Sequence, residues 1–132
     1  MREAYLDTSL FIELKFQGSP AATKRLIQKH DLYSSELLLA EVLAFAKRES
    51  IAEELLSDSL KGISWVLPEG SLAAELKHVA GTGYVRGADL WHLACALYLS
   101  PNPADLVFLT LDKRQREAAA TLGFQTPVLT KR

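Results

Sequence analysis

Strands alternating with helices along the chain predict an α/β fold whose mainly parallel central sheet is covered on both faces. Two observations carry that expectation. Short apolar runs such as Ala4-Tyr5-Leu6 and Leu106 to Leu111 read as buried strands. Longer segments between them repeat apolar residues at helical spacing and begin at capping residues. Sheets of this kind bind ligands beyond the carboxyl ends of their strands.

The first strand, Ala4-Tyr5-Leu6, ends at Asp7. Ser19-Pro20 starts a helix, a capping residue followed by proline at the first helical position, with Ala22, Leu26 and Ile27 as its apolar face. Leu32-Tyr33 is a short strand, after which Ser35 caps a strongly apolar helix from Glu36 to Lys47. Ser50-Ile51-Ala52-Glu53 has the form of a capping box and predicts a helix with Leu55, Leu56 and Leu60 inward. Ile63 to Leu67, closed by Pro68, is the next strand. Gly70-Ser71 opens a helix that fades at Gly81, and three glycines between 81 and 87 predict a flexible loop. A second apolar helix runs from Ala88 to Leu99 and stops at Ser100-Pro101-Asn102-Pro103. After the strand Leu106 to Leu111, Asp112 starts a helix that reaches Leu122 and stops at Gly123; Phe124 to Leu129 predicts a last short strand.

Composition sets outer limits. A chain of 132 residues points to one domain, 1–132, large enough to bury about two-thirds of the surface its unfolded form exposes. No apolar run is long enough to span a bilayer, and no signal peptide is visible before Ala4. The one cysteine, Cys95, cannot form an internal disulfide, so nothing points to an oxidising compartment and a cytoplasmic location is expected. The net charge of −1 weighs against a protein that binds nucleic acid mainly through its phosphates. Local basic residues or bound cations would have to reverse that sign.

Four carboxylates stand out by their neighbours. Asp7 and Asp112 each follow a strand, Asp89 heads an apolar helix, and Glu41 interrupts another in its middle. Asp7 and Asp112 also read as helix caps, Asp112 with Gln115 completing a capping box, and Asp89 is favoured by the helix dipole. Glu41 caps nothing; it reads either as a salt-bridge partner of Arg86 or Lys47 or as a metal ligand. If the four converge, two like charges 5 Å apart repel by roughly 3 kcal/mol at an effective dielectric of 20, so cations or protons must join them. Carboxylate oxygens suit Mg²⁺ or Mn²⁺, and the lack of a His/Cys cluster argues against zinc. Ions held this way can activate water against a phosphodiester.

The segments Tyr5-Leu6-Asp7-Thr8-Ser9, Ser34 to Glu41, Ala88 to Ala96 and Leu109-Thr110-Leu111-Asp112 resemble the acidic motifs of PIN domains, in order and over nearly the whole chain. Their order and the chain length resemble VapC-type toxins of prokaryotic toxin–antitoxin pairs. The resemblance implies a PIN-like three-layer α/β/α fold. It implies a metal-dependent endoribonuclease in which Asp7, Glu41, Asp89 and Asp112 hold one or two Mg²⁺ or Mn²⁺ ions. It also implies an RNA substrate, a cognate antitoxin and a homodimer. Thr110 and Ser9 occupy positions that often support such a site by hydrogen bonding, although local backbone bonding explains them equally well. The fourth acidic position varies in the family, which makes the role of Asp112 the least constrained.

Other residues have two readings each. His92 shares a helix face with Asp89 and is either a structural histidine or an aid to phosphate binding or proton transfer. Arg86 is a phosphate clamp or a solvated charge. Lys113, Arg114 and Arg116 either contact RNA backbone beside Asp112 or form a solvated face. Trp91 suits core or a dimer interface. Two further functions compete with the toxin: a housekeeping PIN nuclease that matures RNA, and a non-catalytic RNA- or protein-binding module.

Overall fold

The computed structural model describes residues 1–130. Among them, four parallel strands form one sheet in the order β3-β2-β1-β4: β1 (Arg2–Leu6), β2 (His30–Ser35), β3 (Ile63–Val66) and β4 (Val107–Leu109). The helices are α1 (Thr8–Ile12), which runs into a π-helical turn (Glu13–Gln17), then α2 (Ala21–Gln28), α3 (Glu36–Arg48), α4 (Glu53–Leu60), α5 (Ala73–Ala80), α6 (Gly87–Leu99) and α7 (Lys113–Leu122). The strand period of two divides the sheet residues between two cores. Tyr5 and Phe108 face one side, their rings stacked 5.5 Å apart, against Val79, Leu93, Ala96 and Ala119 of α5, α6 and α7. Ala4, Leu6, Val107 and Leu109 face the other, against Leu10, Ile27, Val42 and Leu56 of α1 to α4. The result is the three-layer α/β/α arrangement. Covering on both faces is why Ala4-Tyr5-Leu6 reads as an unbroken apolar run.

The chain steps from β1 to β2 to β3 in one direction and then returns to place β4 on the free side of β1, where Leu6 pairs with Leu109. Side connections therefore diverge at the β1/β4 boundary, and a crevice opens beyond the carboxyl ends of these two strands. Asp7 and Thr110 are the residues that emerge there.

Four local expectations need correction. The apparent capping box at Ser50 does not form: Ser50 takes a left-handed φ of 54° and α4 starts at Glu53 with Ala52 before it. From that start Leu56 and Leu60, four residues apart, pack inward, and Leu55 is left 57% exposed. Proline at 20 precedes α2 instead of opening it, and the buried Ser19 Oγ caps nothing and has no partner among the described residues. The last strand shrinks to one bridge, Gln125 with Val107, flanked by Phe108 N–H donating to Gln125 O and Gln125 N–H to Leu106 O. Pro127, which has no N–H to donate, prevents the ladder from continuing.

Gly123 ends α7 at φ 107°, a conformation that costs a side chain strain, with Pro103 Cβ 3.5 Å from where a Cβ would stand. Gly123→Ala is expected to destabilise the fold by about 1–2 kcal/mol. Urea unfolding would show it as a lower midpoint with an unchanged slope.

Candidate active site

Asp7 follows β1 directly and caps α1: its Oδ1 accepts from Leu10 N–H at 3.0 Å. Its backbone N–H donates to Leu109 O at 3.3 Å, which ties the start of α1 to the end of β4. Asp7 Oδ2 accepts from the Thr110 hydroxyl at 2.5 Å. Thr110 Oγ1 also accepts from Asp112 N–H at 3.0 Å and lies 3.0 Å from Gln115 Oε1, so one buried hydroxyl joins Asp7 to the start of α7. Asp112 caps α7, its Oδ1 accepting from Gln115 N–H at 2.8 Å. The capping box is only half made, because the Gln115 side chain turns inward to Thr110 and to Asp89 O instead of back to Asp112.

Glu41 projects from α3, its side chain 40% exposed. Neither Arg86 nor Lys47 bonds it. Its Oε1 accepts from the Thr8 hydroxyl at 2.7 Å and lies 3.7 Å from His92 Nε2. His92 is buried beneath it, with Nδ1 2.7 Å from the Tyr5 hydroxyl and Nε2 3.1 Å from Thr8 Oγ1. Both ring nitrogens thus have partners within the protein. Ser9 borders the site without bonding a carboxylate among the described residues; Thr8, one position earlier, does so. Sequence reasoning missed Thr8 and Tyr5. Only their places inside and just before the strand-end motif hinted at them.

One cavity of about 170 Å³ is lined by Asp7, Thr8, Ser9, Glu41, Arg86, Ala88, Asp89 and His92. Three of the four acids therefore line one cavity. Asp112 lines a neighbouring cavity of about 400 Å³, which shares Ser9 and Arg86 with the first. Arg86 Nε stands 3.7 Å from Asp89 Oδ2. Lys113, Arg114 and Arg116 follow Asp112 on α7 outside the smaller cavity; Lys113 pairs with Glu117 at 3.9 Å, and Arg114 lies 5.7 Å over the exposed Tyr84 ring. Trp91 packs partly buried against the α6 core.

The acids feel one another. Burial pushes the Asp7 carboxyl up to about 6, against the pull of the Thr110 hydroxyl and the Leu10 N–H. Asp89 is also raised, first by burial, with Asp112 and Glu41 adding to the effect and Arg86 opposing it. Glu41 is held below the usual carboxylate range, chiefly by the His92 ring and then by the Thr8 hydroxyl. Cys95 takes no part; burial pushes its thiol up to about 11.

No three His, Cys, Asp or Glu side chains among the described residues already stand in a metal-holding arrangement. The donor chemistry nevertheless fits a hard divalent ion: three carboxylates, two of them raised by burial, line one small cavity without a thiol. Glu41 spends one oxygen on Thr8, and its Oε2 carries no hydrogen bond from the described residues.

Among curated proteins no match to the chain was found. Two of the solved structures that share its fold are VapBC complexes. One is VapBC2 from Rickettsia felis bound to a DNA fragment from their promoter, with a TM-score of 0.67 and 11% identity, covering 96% of this chain and 98% of that one. The other is the 2.2 Å structure of VapBC-1 from nontypeable Haemophilus influenzae, with a TM-score of 0.66 and 18% identity, covering 95% and 96%. At these identities the likeness speaks for the fold. The family model described as the PIN domain matches residues 4–121, and the chain belongs to the PIN-domain family.

Proposed function

We propose that this chain is a divalent-metal-dependent endoribonuclease and the toxin of a type II toxin–antitoxin pair. The observation that carries the reading is that Asp7, Glu41 and Asp89 line one cavity at the carboxyl ends of β1 and β4, together with Arg86. Membership of a family whose members are generally nucleases supports it, as does the likeness to VapBC structures. Mg²⁺ or Mn²⁺ bound by these carboxylates, with Asp112 beside them, would activate water and neutralise charge developing on the phosphodiester.

The residues themselves divide the remaining work. Asp7, fixed by Leu10 N–H and Thr110, presents its carboxylate on a rigid strand end. Arg86, 72% exposed at the start of α6, is free to meet a phosphate oxygen while remaining near Asp89. Lys113, Arg114 and Arg116 extend positive charge along the first turn of α7, which offsets the acidic net charge where RNA would lie. The same reading includes a cytoplasmic location, a homodimer and a cognate antitoxin. No helix among the described residues is long and apolar enough to cross a membrane.

The test is cleavage of a mixed RNA pool by purified protein with Mn²⁺, with Mg²⁺ and with chelator. Cleavage is expected only with metal, and Glu41→Gln is expected to lower it by about a hundredfold, the scale of losing one preorganised charged group. Equal cleavage in chelator, or a fully active Glu41→Gln, would remove the metal mechanism. Arrest of cell growth on expression, relieved by the product of a neighbouring gene, would separate the toxin from a housekeeping nuclease.

A further inference from the structure

The buried polar groups beneath Glu41 form a line with a direction. Each hydroxyl in it has one proton to give, so the bonds can be assigned by counting. Glu41 Oε1 is an acceptor 2.7 Å from Thr8 Oγ1, so the Thr8 proton is spent on Glu41. Thr8 Oγ1 must then accept from its other neighbour, His92 Nε2 at 3.1 Å, and Nε2 must carry a hydrogen. At the far side of the ring, the Tyr5 hydroxyl is 2.7 Å from Nδ1. Tyr5 is wholly buried on β1, and its phenol O–H has Nδ1 in reach to receive its hydrogen.

We propose that Tyr5, His92 and Thr8 form a one-way hydrogen-bond relay that positions Glu41, with Tyr5 O–H donating to His92 Nδ1, His92 Nε2–H to Thr8 Oγ1, and Thr8 O–H to Glu41 Oε1. The relay rests on the proposed metal-dependent reading, for it leaves Glu41 Oε2 as the oxygen that would be available to a cation in the cavity. It reaches from the middle of the sheet through His92 of α6 and Thr8 of α1 to α3, so three helices and β1 all share in aiming one carboxylate. Bonds aligned in one sense also polarise one another. Tyr5 is wholly buried, and Thr8 and His92, which border the cavity, turn the bonded atoms toward one another and toward Glu41. They are positioning residues, comparable in role to the outer partners that orient ligands elsewhere.

The line is tested first without metal. Nitrogen NMR of His92 in the metal-free chain at pH 7 is expected to show Nδ1 as the bare, pyridine-type nitrogen and Nε2 as the protonated, pyrrole-type one. Tyr5→Phe should disturb Nδ1 alone. The opposite tautomer, or a ring protonated at both nitrogens, overturns the relay. Calorimetry with Mn²⁺ then reads its consequence. His92→Leu, which fills the space without a donor, and Thr8→Val are expected to weaken Mn²⁺ binding by about 10- to 100-fold. His92→Gln, whose amide N–H can replace Nε2–H, should stay within about threefold of the parent. If Leu and Gln weaken binding alike in proportion to their loss of melting temperature, His92 is packing and the proposal fails. A parent that takes up no Mn²⁺ defeats the metal reading itself, while the tautomer still decides the relay.

Discussion

Replacing Asp7 by Asn is expected to raise the melting temperature of the metal-free chain at pH 7 while reducing metal-dependent cleavage on the order of a hundred- to thousandfold. The two effects have one cause. Asp7 is 2% exposed, and its carboxyl is pushed from an ordinary 3.8 to about 6. Between those values the folded chain holds a proton that the unfolded chain has released, so stability is complete below pH 3.8 and declines as pH rises through 6. About 1.4 kcal/mol is lost per unit, or about 3 kcal/mol by pH 7. Asparagine carries no such charge, can still cap α1 from its carbonyl and leaves the Thr110 hydroxyl with a partner. Some of the gain will be lost to imperfect replacement, leaving a rise of roughly 5–10 °C. The rise should vanish near pH 4, where the parent is protonated too. Asn melting below the parent at pH 7 would mean that the carboxylate is a stabilising partner, and the argument that it awaits a cation would fall.

The second large effect lies one residue past β4. Thr110→Val keeps the shape but deletes the hydroxyl that Asp7 Oδ2, Gln115 Oε1 and Asp112 N–H share. These groups are buried or half-buried, and because one hydroxyl hydrogen serves one acceptor at a time, its loss removes one donated and one accepted bond, which should destabilise the fold by about 2–4 kcal/mol. Loss of the bond that pulls the Asp7 carboxyl down would raise it further above 3.8, so the deficit should be greater at pH 7 than at pH 5. Thr110→Ser keeps the hydroxyl and should cost about 1 kcal/mol, the worth of one buried methyl. Urea denaturation of the two variants at both pH values checks this. A Val variant no less stable than the Ser variant would show that the hydroxyl joins nothing of consequence.

Much of this site was legible because acids in apolar company need a reason. Asp7 and Asp112 stand where strands end, and a strand buried on both faces announces its end sharply. Glu41 and Asp89 were conspicuous in helices otherwise apolar around them. A capping role and a place at a cavity are compatible: Asp7 and Asp112 do cap helices, and each still lines one. What escaped was pairing at long range. Tyr5 and His92 are 87 residues apart, and which helix turn lies over which strand residue depends on how β1 registers beneath α6. The partner of Glu41 was missed for the same reason: Arg86 and Lys47 offered charge, but a threonine and a buried imidazole were nearer. Ser50 misled because a capping pattern presumes extended backbone at the cap, and this serine is left-handed.

The account is tested most directly by diffraction from crystals soaked in Mn²⁺, using its anomalous signal. A peak is predicted inside the cavity bounded by Asp7, Glu41 and Asp89, with Glu41 Oε2 turned toward it and Oε1 still on Thr8. Saturating Mn²⁺ that leaves this cavity without a peak, or a peak coordinated by other residues, would contradict it.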